Sequence, residues 1–188
     1  ASHVLMKPGE PSERGFTDAM PHRSELPGPY NYYARTQSEP AQLQALEDQR
    51  CIFFPLFMTG YVIADLLADN GWFGVQQVVI GSASSKTGFG TAAFVRAAGF
   101  EGTIVGLTSE QNVAFSEALG CYDAVLPYGA VESVVNTPSA YIDIAGDVEV
   151  RSRLHHSLKD NAARTLLVGA THWDQFGQSV GARPLPGG

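Results

Sequence analysis

Val78-Val79-Ile80-Gly81-Ser82-Ala83-Ser84-Ser85-Lys86-Thr87-Gly88-Phe89-Gly90 reads as a short apolar strand that runs into a turn of small residues and opens a helix. Small side chains let a backbone approach an anion closely, and a helix N-terminus offers unpaired N–H groups and a partial positive charge. Serine hydroxyls and the Lys86 ammonium would add donors. The rival pattern is the phosphate loop of triphosphate-binding proteins, and its spacing fails here. The interval from Gly81 to Lys86-Thr87 is one residue short, and Ser85 stands where the second glycine belongs. The dinucleotide fingerprint asks for glycines where this chain largely has serines. A plain tight strand-to-helix turn also needs small residues, so the pattern alone leaves that reading open.

Outward from this stretch the chain alternates. Upstream, residues from about Gln42 to Asp69 carry Phe57, Tyr61, Ala64, Leu67 and Ala68 at helical spacing, and Asn70-Gly71 stops the helix. Downstream, a helix from Lys86 to Ala98 ends at Gly99, Thr103–Leu107 forms a second strand, and Ser109 caps a helix that Gly120 ends. Ala124–Leu126 is a third strand, residues 130–137 a short helix, and Tyr141–Ile144 a fourth strand. Asp147 caps a helix bearing Val150, Leu154 and Leu158, and Thr165–Val168 is a fifth strand. Compact apolar strands without polar alternation, separated by helices, predict a parallel sheet covered on both faces. The expected fold is therefore a doubly wound α/β sheet of three layers with at least five strands. Residues 1–41, with Pro8, Pro11, Pro21, Pro27, Pro29 and Pro40, read as an irregular segment of turns and extended chain preceding it.

Composition narrows the partners. With 188 residues, 44% of them hydrophobic and 16% charged, the chain can bury a core and lacks the profile of a disordered protein. Its formal charge of −7, with the few basic residues scattered, disfavours nucleic acid and anionic membranes. The apolar stretch from Cys51 to Leu67 is interrupted by Pro55, Gly60 and Asp65, which argues against a clean membrane span. Cys51 and Cys121 sit in no disulfide or metal motif, as expected of a cytoplasmic protein.

In open α/β sheets ligands lie beyond the carboxyl ends of the strands. The second strand ends in Leu107-Thr108-Ser109-Glu110-Gln111-Asn112. Hydroxyls stand there where an acid would repel a ribose 2′-phosphate, which favours NADP over NAD; Glu110, one residue on, pulls the other way.

The order of elements, together with Gly106-Leu107-Thr108-Ser109, Asn112 and Ala118-Leu119-Gly120-Cys121-Tyr122-Asp123-Ala124-Val125-Leu126-Pro127-Tyr128, resembles the Rossmann-like cofactor domain of zinc-free medium-chain dehydrogenase/reductases of the quinone-reductase type. More narrowly, Pro55-Leu56-Phe57, Asp65-Leu66-Leu67-Ala68-Asp69-Asn70 and Ser82-Ala83-Ser84-Ser85-Lys86-Thr87 are similar to an uncharacterised bacterial and fungal family related to that superfamily. In that family the serine-rich turn replaces the glycine-rich one. The resemblance implies that Ser84, Ser85, Lys86 and Thr87 hold the pyrophosphate and that Thr108 and Ser109 hold the adenosine ribose. It also implies that Tyr128 lies near the cofactor and that Gly146, Gly169, Ala170 and Thr171 border the nicotinamide. It implies an NADP(H)-dependent oxidoreductase that passes hydride to a small carbonyl, quinone or activated alkene, and a homodimer formed through an edge strand.

Metal is not expected, because Cys51 and Cys121 are isolated and His155 and His156 project to different faces of their helix. His172, beside Trp173 after the fifth strand, is the histidine placed for proton transfer, although a surface loop position is the favoured explanation of it; no residue is singled out as the proton donor. Asp143 reads as an anchor for a helix terminus. The domains are expected at 1–41, the end of a β-rich catalytic domain or a linker, and 42–188, a dinucleotide-binding domain short of its last strand. The alternative function is a nucleotide-binding module without catalysis, or an inactive fragment of a larger enzyme.

Overall fold

Five strands form the central sheet in a computed structural model that describes residues 4–26 and 28–169. The chain divides into two compact units between Ile52 and Phe53. In the first unit, β1 (Pro8–Gly9), β2 (Gly15–Asp18) and β3 (Tyr32–Ala34) make a small antiparallel sheet. The N-terminal segment is thus more regular than its prolines suggest. The buried Asp18 is satisfied within it, accepting from the Lys7 and Met20 N–H groups, both at 3.1 Å, and pairing with Arg23 at 3.5 Å. A short helix, α1 (Ala41–Gln44), follows.

Helix α2 (Glu47–Asp69) crosses the division and continues through Pro55. Pro55 lies on the exposed side of the helix, as does Cys51, whose carbonyl it cannot bond. The interruption expected of Pro55, Gly60 and Asp65 is therefore absent, and α2 is long and apolar enough to cross a membrane by length and composition. One face is nevertheless committed to protein: Gly60, Ile63, Ala64 and Leu67 are buried. A Cβ on Gly60 would lie 2.8 Å from the Thr91 nitrogen, so its absence lets the next helix pack tightly.

The second unit contains β4 (Gln77–Ile80), α3 (Lys86–Ala97), β5 (Thr103–Thr108), α4 (Val113–Ala118), β6 (Ala124–Pro127), β7 (Ser139–Asp143), α5 (Val148–Leu158) and β8 (Ala162–Leu167). All pairings are parallel, in the order β6-β5-β4-β7-β8. The five expected strands are all present, and the reversal of strand order between β4 and β7 is the switch point of a doubly wound, Rossmann-like sheet. Two cores make the three layers. Ile80, Ile104 and Ile142 pack with Leu67 of α2 and Val95 of α3; Val79, Leu107 and Tyr141 pack with Val150 and Leu154 of α5.

Glycine stops act as expected at Gly71, Gly99 and Gly120, with φ of 58°, 94° and 67°. Two expectations need correction. Residues 128–133 form a 3-10 turn and not an α-helix over 130–137. Ser109 gives no side-chain cap; a 3-10 turn (Glu110–Asn112) separates it from α4, and its hydroxyl accepts from the Asn112 side chain instead.

Candidate dinucleotide site

The turn between β4 and α3 is held from three sides. Gly81 N–H donates to the Ile142 carbonyl of β7 at 2.9 Å, and Ala83 N–H donates to the Leu107 carbonyl of β5 at 2.9 Å. Ser82 takes a left-handed φ of 54°, and its N–H donates to the Tyr128 hydroxyl at 3.0 Å. Ser85 caps α3, its Oγ accepting from the Gly88 N–H at 3.0 Å. Gly88 is required by space, because a Cβ there would sit 2.4 Å from the Ser82 carbonyl oxygen. Among the described residues nothing accepts from the backbone N–H groups of Ser84, Lys86 or Thr87. Lys86 is exposed at the same helix start and enters no ion pair among the described residues.

The structure brings Ser84, Thr108 and Ser109 together and adds Asn112. Thr108 Oγ1 donates to Ser84 Oγ at 3.1 Å, and Asn112 Nδ2 donates to the same oxygen at 3.2 Å and to Ser109 Oγ at 3.0 Å. A serine oxygen has two lone pairs and one proton. Both lone pairs of Ser84 are occupied, so its proton is left to donate, beside the three unpaired backbone N–H groups. The turn is therefore rich in donors, as an anion site requires. Thr108 is buried, and its hydroxyl braces Ser84 from behind.

On the other side of the switch point, Asp143 ends β7 almost wholly buried. Its carboxylate accepts from the Gly146 N–H at 2.8 Å and from Arg151 at 2.7 Å, and its carbonyl accepts from the Val168 N–H. Burial pushes its ionisation up, against the opposing pull of the Gly146 and Arg151 bonds. The expected anchoring role is what the geometry displays. Gly146, at φ 71°, has its N–H spent on Asp143. Gly169 passes so near Ile144 that a Cβ would come within 2.4 Å of its carbonyl oxygen. The loops after β7 and β8 thus meet, with Gly146 and Gly169 on them; Ala170, Thr171, His172 and Trp173 lie outside the described residues. His155 is buried against Thr165, at 2.8 Å, whereas His156 is exposed.

Two supporting residues carry no local sequence signal. Tyr122 donates to the Ala83 carbonyl at 2.9 Å, and a Cβ on Gly106 would meet its ring at 3.1 Å. Only the glycine inside an otherwise β-branched strand hints at such a close approach. Arg153 holds the turn that bears Tyr128, bonding Glu132 through Nε at 2.7 Å and Nη2 at 2.8 Å, and the Gly129 carbonyl at 3.2 Å.

Residues 1–185 match the family described as "Protein of unknown function (DUF2855)". The chain belongs to this family. Among curated proteins no match to the DUF2855 chain was found. Solved structures with similar folds include galactitol-1-phosphate dehydrogenase from Escherichia coli, at 17% identity and TM-score 0.48, covering 80% of this chain and 44% of that one. D-arabinose dehydrogenase from Sulfolobus solfataricus is 22% identical, with TM-score 0.45 and coverage of 64% and 40%. YhdH of Escherichia coli K-12, solved with bound NADPH, is 17% identical, with TM-score 0.43 and coverage of 64% and 40%. The DUF2855 chain spans less than half the length of these structures.

Proposed function

We propose that this DUF2855 chain is the NADP(H)-binding domain of a zinc-independent oxidoreductase related to the medium-chain dehydrogenase/reductases, acting on a small carbonyl, quinone or activated alkene. The observation that carries the reading is Ser84, whose oxygen accepts twice and whose proton is left to donate next to three unpaired N–H groups at the switch point. Ser84, Ser85, Lys86 and Thr87 would hold the pyrophosphate. Ser109 and Asn112, neutral and hydroxyl- or amide-bearing, would receive a 2′-phosphorylated ribose, which supports NADP over NAD, with the exposed Glu110 beside them the opposing carboxylate. When bound, the cofactor supplies the hydride. The chain's part is to bind and orient it, with the loops carrying Gly146 and Gly169 bordering the nicotinamide.

Two free cysteines, Cys51 exposed and Cys121 half-buried, support a cytoplasmic setting. β8 has no partner on its outer side among the described residues, which supports a homodimer through that edge.

A second reading, a nucleotide-binding module without catalysis, is favoured by one observation. Among the described residues of this unit the histidines are His155, buried against Thr165, and His156, both on α5, so neither is placed after a strand on the ligand side.

The test is equilibrium titration with NADPH and with NADH. Trp72 precedes β4, at the amino ends of the strands, so the reporter is the fluorescence of the reduced nicotinamide. Saturable NADPH binding, at least about tenfold tighter than NADH, is expected. No saturable signal up to millimolar cofactor overturns both readings, and tighter NADH binding overturns the NADP assignment. NADPH consumption with a panel of quinones and enones separates enzyme from module.

A further inference from the structure

Tyr141 lies in the middle of β7 and is only 3% exposed, yet its hydroxyl has no hydrogen-bond partner among the described residues. A buried donor without a partner costs about 1–3 kcal/mol and calls for an explanation. Sealing in the core is not the explanation. Ser116 Oγ is the one fully sealed side-chain polar atom without a partner among the described residues, so the Tyr141 oxygen, also without one, keeps access to solvent. Its position is fixed by Gly81. A Cβ on Gly81 would lie 2.9 Å from the Tyr141 oxygen, so the missing side chain at the first residue after β4 is what leaves room for the phenol. The hydroxyl therefore emerges between the carboxyl ends of β4 and β7, at the reversal of strand order and beside the turn on which, among the described residues, the Ser84, Lys86 and Thr87 N–H groups have no acceptor.

We infer that the Tyr141 hydroxyl is a ligand contact, donating to a pyrophosphate oxygen of the dinucleotide bound at the Gly81–Thr87 turn. The inference rests on the dinucleotide reading proposed above and adds to it a residue from the strand across the switch point. The phenol stays protonated, because burial, reinforced by the nearby Asp143 carboxylate, pushes its ionisation well above the usual range. It can therefore give a hydrogen bond to an anion and carries no charge to repel one.

The experiment compares the wild-type chain with Tyr141→Phe, which removes one oxygen and keeps the ring in its packing. The ligands are NADPH and adenosine 2′-monophosphate, which has no pyrophosphate. Tyr141→Phe should bind NADPH about tenfold more weakly, bind adenosine 2′-monophosphate unchanged, and unfold at the wild-type temperature, because no protein hydrogen bond is lost. Equal NADPH affinity in the two proteins overturns the assignment, as does an equal loss for adenosine 2′-monophosphate. A lower unfolding temperature also overturns it, since the hydroxyl would then be serving the fold. Gly81→Ala provides an independent arm: it should weaken NADPH binding when Tyr141 is present and much less when combined with Tyr141→Phe. Additive losses in that cycle overturn the stated position of the hydroxyl. Failure of the wild-type chain to bind any dinucleotide marks failure of the functional reading itself, whereas binding that is indifferent to Tyr141→Phe marks failure of this inference alone.

Discussion

Thr108 Oγ1 donates to Ser84 Oγ at 3.1 Å, tying the carboxyl end of β5 to the turn that follows β4. Because Asn112 donates to the same oxygen, the Ser84 proton is directed away from both. A contact between two hydroxyls thus fixes the polarity of the site.

Replacing Ser84 by Ala removes the acceptor and leaves the buried Thr108 hydroxyl unpaired. The expected cost is about 1–3 kcal/mol in urea unfolding, with weaker NADPH binding. Thr108→Val, which removes the buried hydroxyl itself and keeps the shape, should cost less stability than Ser84→Ala. The reverse order would mean that the Thr108 hydroxyl does not need Ser84.

Lys86 is exposed and unpaired, so Lys86→Ala should leave stability within about 0.5 kcal/mol of wild type. NADPH affinity should fall at least about tenfold at low salt, and the loss should shrink as salt rises. Calorimetric titration at two ionic strengths checks this, and an unchanged affinity removes Lys86 from the phosphate site.

Gly88→Ala pushes a methyl group to 2.4 Å from the Ser82 carbonyl oxygen, a backbone atom that cannot step aside without moving the turn. A loss of about 1–3 kcal/mol is expected, accompanied by loss of cofactor binding beyond what the fall in folded fraction explains. Thermal unfolding and titration of the same sample separate the two effects.

Asp143 and Arg151 form a largely buried pair, with side chains 1% and 13% exposed. Asp143→Asn leaves the guanidinium without its counter-charge and should cost about 3–5 kcal/mol in denaturant unfolding. A loss below about 1 kcal/mol would show that water satisfies Arg151.

Two carboxylates give opposite pH dependences. The native state holds the Asp143 proton more tightly than the unfolded chain, so its contribution is present in acid and is lost as pH rises through its raised value. Hydrogen bonds from Arg153 lower Glu132 to about 2 from an ordinary 4.5. Its contribution is present above 4.5 and is lost as pH falls toward about 2. The stability difference between wild type and Glu132→Gln should therefore grow as pH rises from about 2 to about 5. A difference independent of pH would place Glu132 outside the Arg153 pair.

The sequence by itself determined the elements of the second unit. Val78–Ile80, Thr103–Leu107 and Tyr141–Ile142 lack polar alternation because they are covered on both faces, and β4 and β7 are buried throughout. Gly71, Gly99 and Gly120 mark helix ends because left-handed φ favours a residue without a Cβ. Asp147 caps α5 as its position predicts, accepting from the Glu149 and Val150 N–H groups. These are local properties, set within a few residues. Ser84, Lys86 and Thr108 could be named for the same reason, since each stands just after a strand.

What only the tertiary structure decided is long-range. The pairing of Ser84 with Thr108 and Asn112 spans 24 and 28 residues and depends on the register of β4 against β5. The bond from Ser82 to Tyr128 spans 46 residues, and Tyr141 reaches the turn only because β7 lies against β4. Local signals also misled where context overrode them. Pro55 interrupts the apolar pattern but not α2, in which it lies on the exposed side. Ser109 has the chemistry of a helix cap, but Asn112 claims its oxygen. Hydrogen-bond partners are chosen by which strands lie side by side, and that depends on how the whole chain packs on both faces of the sheet.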